Sequence, residues 1–298
     1  MNRQLTPATA MLLVVPPLLW AGNAIVGRLV HEMVPPLMLN FLRWTIALVI
    51  LLPLGRGIFS AGGELRRHRR QLSILGLLGI GMYNALQYLA LQTSTPINVT
   101  LVAASMPVWM LLIGWLFFNA GVARKQVIGA AFSIGGVLLV LSRGNLDQLL
   151  AMRLVAGDVF MIVATISWSF YSWLLTRATV GDALRGDWAA FLLAQVAFGV
   201  AWSGAFAAGE WLVTARAVAW SWPLAGALLF VAVGPAILAF RCWGLGVQRV
   251  GPSVAGFFSN LTPLFAALMS SAFLGELPHA YHIAAFAMIV GGIVLSSR

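Results

Sequence analysis

The chain has 298 residues, of which 61% are hydrophobic and only 9% are charged, and its mean hydropathy is +0.93. Soluble domains carry about 25% charged residues, so this composition excludes a soluble protein and indicates one that lies in a membrane. The net charge of +10 does not indicate nucleic-acid binding, because the basic residues are scattered through short loops and form no continuous basic face. The single cysteine, Cys242, excludes an internal disulfide and a cysteine metal cluster.

Ten apolar stretches follow one another along the chain, each close to the roughly 20 residues that a helix needs to cross a bilayer. Proline begins several of them, where its missing N–H has no helical partner to lose. The predicted spans are residues 8–30, 35–54, 71–92, 96–118, 124–142, 155–176, 187–208, 222–248, 252–274 and 279–297. The sequence therefore predicts an all-α integral membrane protein with ten transmembrane helices.

A five-helix segment occurs twice in the chain, and a shift of 156 residues aligns the second half of each copy without a gap. The shift aligns Gln92 with Gln248, Pro96 with Pro252, Pro107 with Pro263, and Gly135 and Gly136 with Gly291 and Gly292. Each copy holds five spans, and an odd number of crossings inverts the second copy relative to the first. We therefore predict two inverted five-helix repeats, residues 1–145 and 146–298. This arrangement is typical of a transporter that exposes one central site to each membrane face in turn.

The arginines and lysines predict the orientation, because loops on the cytoplasmic side carry an excess of them. With the N-terminus in the cytoplasm, that side holds Arg3, Arg56, Arg66, Arg67, Arg69, Arg70, Arg124, Lys125, Arg177, Arg185, Arg249 and Arg298. The external side then holds only Arg28, Arg143, Arg153 and Arg216. Both termini are therefore expected in the cytoplasm.

Three short motifs resemble the drug/metabolite transporter superfamily and its EamA-type repeats. They are residues 19–23 (LWAGN) in the first span, 41–44 (FLRW) in the second, and 273–276 (FLGE) followed by the glycine pair 291–292 near the end. The first copy departs from this pattern, because Ala120 stands where Glu276 would align. Within the superfamily, the chain looks most like the YddG-type exporters of aromatic amino acids. The resemblance implies a ten-helix carrier of small molecules in the bacterial inner membrane.

The residues expected to line a central site are polar or aromatic and recur on one face of a span. Gly76, Gly79, Tyr83 and Gln87 are three or four residues apart and therefore share one face of span three. At that depth, polar groups need partners, water or a ligand. The candidate substrate-binding residues are Trp20, Asn23, Tyr83, Asn84, Gln87, Tyr88, Trp109, Trp168, Tyr171, Phe240, Trp243, Phe257 and Asn260.

Two interpretations of these residues stay open. The aromatic rings would wall a cavity for flat solutes, while the amides orient a polar head group. Alternatively, the rings fill contacts between helices or, near the ends of spans, form interfacial aromatic belts. The belt interpretation is favoured for Trp202, Trp211, Trp220 and Trp222.

Arg43 lies near the middle of span two, where a charge is costly, and is a candidate partner for a substrate carboxylate. The alternative role is a structural clamp that donates to helix-end carbonyls of a neighbour. All eight acidic residues fall in loops or near the ends of spans. No deep carboxylate therefore supports proton coupling, and we expect facilitated transport rather than carboxylate-dependent proton antiport.

Pro107 and Pro263 occupy equivalent positions within spans four and nine. A proline inside a helix removes a backbone hydrogen bond and bends the helix. These two prolines are therefore expected to be hinges.

The predicted function is the export of aromatic or neutral amino acids, or similar flat metabolites, by alternating access. The alternatives are a drug or other-metabolite exporter of the same superfamily and an integral-membrane enzyme that acts on a lipid-like substrate. No serine within a span has an acid and a histidine at helical spacing, so an enzyme is not indicated. We expect a small-molecule substrate, the bilayer as surroundings, and a monomer, with no cofactor, metal or nucleic acid.

Overall fold

The computed structural model describes residues 5–94, 96–142, 144–145, 147, 155–274 and 280–297. Most of these residues are helical, and none of them forms a β-strand. The ten long or apolar helices are α1 (Pro7–Leu29), α2 (Pro36–Leu54), α3 (Arg69–Thr93), α4 (Pro96–Ala103 and Met106–Phe118), α5 (Arg124–Leu141), α6 (Ala156–Thr176), α7 (Trp188–Thr214), α8 (Trp222–Val250), α9 (Pro252–Phe258 and Leu261–Leu274) and α10 (Ala280–Ser296).

Nine of these helices are long and apolar enough to cross a bilayer, and α10 is a shorter apolar helix. The chain is therefore a multi-pass membrane protein, and the predicted spans are confirmed to within a few residues at most ends. The largest difference is at α7, which continues to Thr214 rather than residue 208. The extra turns carry Glu210, whose carboxylate accepts hydrogen bonds from the backbone N–H groups of Leu37 and Met38 at the start of α2. This contact, which no local sequence pattern shows, favours the longer helix.

Two helices are broken at equivalent places. Helix α4 is interrupted at residues 104–105, and α9 is interrupted at residues 259–260. Pro107 and Pro263 were expected to cause these interruptions from within a helix. Instead, each proline lies in the first turn of the helical segment that follows the break. A proline in that turn removes no helical hydrogen bond, so it begins the new segment rather than bending an intact helix.

A second paired irregularity lies in α3 and α8. Residues Gly76–Met82 and Ala232–Leu238 both adopt π-helical turns, and the two stretches are separated by the 156-residue offset of the repeat. The wider turns displace the residues that follow them around the helix axis, and π-helical turns are frequent at functional sites. The two copies thus share a backbone feature that their side chains do not fully predict.

The packing of the helices is symmetric when the two halves are exchanged. Helix α1 packs on α8 and α9, and its counterpart α6 packs on α3 and α4. Helix α2 packs on its own counterpart α7, and α5 packs on its own counterpart α10. These reciprocal contacts are those of a pseudo-two-fold axis that passes between α2 and α7 and between α5 and α10.

Glycines let the backbones of α5 and α10 approach closely. A Cβ atom added to Gly129 would lie 2.7 Å from the carbonyl oxygen of Gly292, and one added to Gly292 would lie 2.6 Å from the carbonyl oxygen of Gly129. A Cβ atom on Gly136 would lie 2.8 Å from the carbonyl oxygen of Ala285. Since residues 129 and 136 align with residues 285 and 292, these contacts are reciprocal, as a two-fold axis requires.

Candidate functional site

An aromatic cluster from α1, α3, α6 and α8 occupies the centre of the protein. Trp168 of α6 is in the middle of it and is almost completely buried. The centroid of its ring lies 5.0–5.5 Å from the ring centroids of Trp20, Tyr83, Tyr171, Phe240 and Trp243. Gly79 makes this packing possible, because a Cβ atom there would lie 2.7 Å from the ring of Tyr171. Tilted and edge-to-face arrangements of this kind stabilise aromatic pairs beyond the area that they bury.

Hydrogen bonds fix two members of the aromatic cluster, but not its central ring. The hydroxyl of Tyr171 donates to Oε1 of Gln195 over 3.1 Å, and Nε1 of Trp243 donates to Oγ of Ser172 over 3.1 Å. Nε1 of Trp168 is buried without a hydrogen-bond partner. A buried unpaired donor costs free energy, so this indole is available to a ligand or water that reaches it.

A central cavity of about 70 Å³ adjoins the cluster between α1, α3, α4 and α9. Its lining combines two rings of the cluster with four side-chain amides, so it offers both an apolar wall and hydrogen-bonding groups. The predicted site residues along this cavity are Trp20, Asn23, Tyr83, Asn84, Gln87, Asn260 and Pro263. The amide nitrogen of Asn260 donates to Oγ of Ser133 over 2.8 Å, while its Oδ1 has no partner. The cavity therefore contains an unpaired acceptor beside apolar ring surfaces.

Arg43 lies behind the cavity and is fully buried. Its Nη1 donates to Oδ1 of Asn23 over 3.2 Å and to the hydroxyl of Tyr88 over 3.1 Å, and this hydroxyl donates to the same Oδ1 over 3.0 Å. The predicted alternative, a clamp on helix-end carbonyls, is not the arrangement found. Nε and Nη2 of Arg43 have no hydrogen-bond partner, and no acidic side chain of the described residues pairs with the guanidinium.

A larger opening, the first vestibule, adjoins the central cavity between α1, α2, α3 and α4. It has a volume of about 310 Å³ and shares Ala24, Gln87 and Thr100 with the cavity. Arg28 and His31 line its mouth, and Tyr88 lines its wall. The first vestibule and the central cavity therefore lie next to each other along the face of α3 that carries Gln87.

A second vestibule of about 220 Å³ lies between α6, α7 and α8. It matches the first under the repeat, since Gln92 lines one and Gln248 lines the other. Tyr171 and Phe240 form its inner wall and separate it from the central cavity. The guanidinium of Arg241 lies 4.1 Å from the ring centroid of Trp188 along this vestibule, a cation–π contact.

The remaining predicted residues lie elsewhere. Trp109 does not line the cavity, because its Nε1 donates to Oγ of Ser105 over 3.0 Å beside the break in α4. Phe257 is fully buried in the core beyond the aromatic cluster. The cavity is also lined by Thr100, Ser259 and Thr262, which were not among the predicted residues. Small hydroxyl residues are frequent in these spans, so only their nearness to the breaks in α4 and α9 could have marked them.

A sequence model of the EamA-like transporter family matches the chain twice, over residues 8–142 and 155–298. The chain belongs to the EamA-like transporter family. Each match contains one set of five helices, α1–α5 or α6–α10. As a member of this family within the drug/metabolite transporter superfamily, the protein is a membrane transporter of small molecules.

Curated relatives of this EamA-like transporter are distant in sequence but similar in length. The uncharacterised transporter YyaM of Bacillus subtilis is 24% identical over 85% of this chain and 82% of its own. The uncharacterised inner membrane transporter YedA of Escherichia coli K12 is 25% identical over 93% of this chain and 87% of its own. The aromatic amino acid exporter YddG of Ancylobacter novellus is 25% identical over 94% of this chain and 93% of its own.

A protein of known crystal structure shares the fold of the EamA-like transporter. The two superimpose with a TM-score of 0.71 over 97% of this chain and 96% of the other, at 22% sequence identity. Among the described residues, no three His, Cys, Asp or Glu side chains come together as metal ligands would. The chemistry of the central site is therefore that of amides, hydroxyls, aromatic rings and one buried guanidinium.

Proposed function

We propose that this EamA-like transporter exports aromatic or neutral amino acids, or similar flat metabolites, across the inner membrane by alternating access. The observation that carries the proposal is the central cavity, where Trp20 and Tyr83 provide ring surfaces and Asn23, Asn84 and Gln87 provide amides. Flat apolar solutes stack on such rings, while uncharged amides hold a polar head group. The name of the Ancylobacter relative supports the same substrate class.

The polar head of an amino acid would find complementary groups at two places. The unpaired Oδ1 of Asn260 is an acceptor suited to a substrate ammonium. Nε and Nη2 of Arg43 point to the same side of the guanidinium and are the pair that binds a carboxylate through two hydrogen bonds. The guanidinium lies one hydrogen bond behind Asn23. A substrate carboxylate that displaces the Asn23 amide would therefore meet Nη1 of the guanidinium first.

The proposed orientation follows from the charge bias, with both termini in the cytoplasm. The first vestibule, with Arg28 and His31 at its mouth, would then face outward and the second vestibule inward. In this conformation the central cavity adjoins the first vestibule and is separated from the second by the aromatic cluster. Export requires the opposite state as well, in which Tyr171 and Phe240 separate and the first vestibule closes. The inverted repeat of residues 1–145 and 146–298 supplies the symmetry for this exchange.

We propose facilitated transport rather than proton antiport through a buried carboxylate. Asp158 is buried, but it lies in the first turn of α6, where it accepts from Ser94 Oγ and from the backbone N–H of Val155. These bonds hold the ends of α3 and α6 together, which is a structural use of the carboxylate. Glu276 lies outside the described residues.

Counterflow in proteoliposomes tests the proposed function. We expect exchange of labelled tryptophan with unlabelled tryptophan, phenylalanine and leucine, without a pH difference or a membrane potential. An imposed proton gradient should not drive accumulation beyond equilibrium. If no amino acid exchanges, the proposed substrate class is wrong, and a panel of drugs and other metabolites tests the alternative exporter. Uphill accumulation driven by protons would instead reject facilitated transport.

A matched set of substrates tests the role of Arg43. Indole-3-propionate keeps the carboxylate of tryptophan without its ammonium, and tryptamine keeps the ammonium without the carboxylate. Competition by indole-3-propionate should weaken about tenfold in the Arg43→Gln variant, since a charge-assisted hydrogen bond contributes about 1.5–3 kcal/mol. Competition by tryptamine should be unchanged. An equal loss for both competitors would show that Arg43 supports the fold rather than the carboxylate.

A further inference from the structure

A fourth cavity lies outside the proposed transport path, at the start of α3. It has a volume of about 290 Å³ and opens widely to the surroundings of the protein. Arg67, His68 and Arg70 form its rim, and Thr179, from the segment between α6 and α7, faces them. We call this opening the basic pocket.

The positive charge of the basic pocket is not neutralised within the described part of the chain. Arg67 and Arg70 are exposed, and the only ion pair among the described residues joins His31 to Glu32 beside the first vestibule. The nearest acid in sequence, Glu64, has its carboxylate against Gly181. The pocket is therefore an unpaired cationic site that attracts an anion.

The floor of the basic pocket is apolar. Ile74 lies one turn further along α3 and is 37% exposed, and Leu174 lies near the end of α6. Both belong to helices that cross the bilayer, so this side of the pocket faces hydrocarbon while the arginine rim lies at the membrane surface. The nearby short helix Arg56–Phe59 carries Phe59 with 73% exposure, as interfacial segments do. A ligand that fits both parts has an anionic head and an apolar tail.

A hydrogen-bonded frame holds the pocket in shape. Oε1 of Gln71 accepts from both the backbone N–H and the hydroxyl of Thr179, each over 3.2 Å. Nε2 of Gln71 donates to the carbonyl oxygen of Arg177 over 3.3 Å. These bonds join α3 of the first half to the loop after α6 of the second half. The rim charges are thus presented on a frame that exists before any ligand binds.

We propose that the basic pocket binds the phosphate of an anionic phospholipid, with the acyl chains lying along Ile74 and Leu174. Arginine pairs donate several hydrogen bonds to phosphate oxygens, and basic pockets between transmembrane helices suit anionic head groups. This site is separate from the central cavity, and it requires no assumption about the transported substrate.

Native mass spectrometry of the full-length protein tests the proposal. The detergent-purified protein is titrated with dioleoyl-phosphatidylglycerol and, separately, with dioleoyl-phosphatidylcholine. The double variant Arg67→Gln with Arg70→Gln removes the rim of the pocket. The matched control, Arg66→Gln with Arg69→Gln, removes the same charge from neighbouring positions that do not line the pocket. We expect the first phosphatidylglycerol to bind about tenfold more weakly to the rim variant than to the control variant.

Three outcomes would overturn the proposal. Equal losses in the two double variants would show a diffuse electrostatic attraction without a pocket. Equal affinities for phosphatidylcholine and phosphatidylglycerol would show that the net negative charge of the lipid does not contribute to binding. Competition by inorganic phosphate or glycerol 3-phosphate at the affinity of the lipid would show that the ligand is a free phosphate. Because the readout is lipid binding, these outcomes are independent of whether amino acids are transported.

Discussion

The two vestibules occupy equivalent places in the repeat but differ in how they meet the central cavity. The first adjoins the cavity and shares Gln87 with it, whereas the second is separated from it by Tyr171 and Phe240. The backbones that form them are closely related, since even the π-helical turns of α3 and α8 are separated by 156 residues. The side chains are not related, because Tyr83, Gln87 and Tyr88 align with Ala239, Trp243 and Gly244.

This difference shows that the repeat provides a symmetric backbone, whereas the proposed substrate site requires side chains that differ between the two halves. A symmetric backbone provides two states of equal geometry, open to one side or to the other. A small-molecule substrate is not symmetric, so its head and its ring need different surroundings. In this EamA-like transporter, α3 of the first half contributes amides and hydroxyls, while α6 and α8 of the second half contribute tryptophans and phenylalanine.

The largest effect is expected from removal of Trp168, the central ring of the aromatic cluster that lies between the central cavity and the second vestibule. Trp168→Ala should reduce transport by at least tenfold, because the loss joins the central cavity to the second vestibule and breaks the alternation of access. Truncating a buried tryptophan also costs about 3–5 kcal/mol of stability, so gel filtration must first show a folded variant. Trp168→Phe is the control, since it keeps an aromatic ring at this position and loses part of the ring volume together with an N–H that has no partner. Normal flux in a folded Trp168→Ala variant would contradict the role of this ring as a barrier.

If Trp168→Ala does not fold, Phe240→Ala tests the same barrier from the other side. Phe240 lines the second vestibule and contacts Trp168, and its ring is smaller. We expect the same direction of change in transport, at a smaller cost in stability.

The next effect concerns the symmetric contact between α5 and α10. Gly292→Ala should lower the thermal midpoint by several degrees, because its Cβ atom would lie 2.6 Å from a backbone oxygen that cannot move aside. Overpacking of this kind costs about 1–3 kcal/mol. Gly291→Ala is a control one residue away, since nothing lies within 4 Å of the added Cβ atom. Equal midpoints for the two variants would mean that the reciprocal packing does not contribute to stability.

Cysteine labelling tests whether the two vestibules face opposite sides of the membrane. In a Cys242→Ala background, Gln92→Cys and Gln248→Cys place one thiol at the equivalent position of each vestibule. A membrane-impermeant maleimide added to intact cells should label residue 92 several-fold faster than residue 248. Inverted membrane vesicles should reverse the order. Labelling of both thiols from the same side would reject the inverted repeat.

The smallest effect is expected at the breaks in α4 and α9. Pro107→Ala and Pro263→Ala should each lower the transport rate by about two- to fivefold while equilibrium substrate binding is kept, because alanine favours a continuous helix and stiffens the hinge. Pro53→Ala, in an exposed turn of α2, is the control. Unchanged rates in both hinge variants would show that the breaks are static.

The fold was largely predictable because the membrane limits the options to helices of a known length. Apolar runs and prolines located the ten helices, and the odd span count implied an inverted repeat. The π-helical turns were predictable only in part, since Pro235 marks an irregularity within Ala232–Leu238 but Gly76–Met82 carries no proline. The extension of α7 depends on Glu210, whose hydrogen bonds reach residues more than 170 positions away.

Part of the candidate site could be predicted from the spacing of residues that share one face of a helix. The stripe of Tyr83 and Gln87 on α3 does line the cavity, because residues four apart share a face. Trp109 and Phe257 do not line it. Residue spacing shows which side chains share a face of a helix, but it does not show how the breaks in α4 and α9 redirect that face. The hydrogen-bond partners of Arg43 could not be predicted either, because Asn23 and Tyr88 belong to two other helices.

The contact between α5 and α10 has a consequence for the history of the gene. If the two halves arose by duplication, positions 129 and 285 descend from one ancestral codon, and positions 136 and 292 from another. Each of these positions packs against the copy of the other, so a larger residue in one half is harmful unless its partner in the other half is small. We therefore expect relatives to show coupled substitutions at the contact between α5 and α10. The residues that line the two vestibules should vary independently of each other. The most slowly diverging part of the duplication would then be the surface that never contacts the substrate.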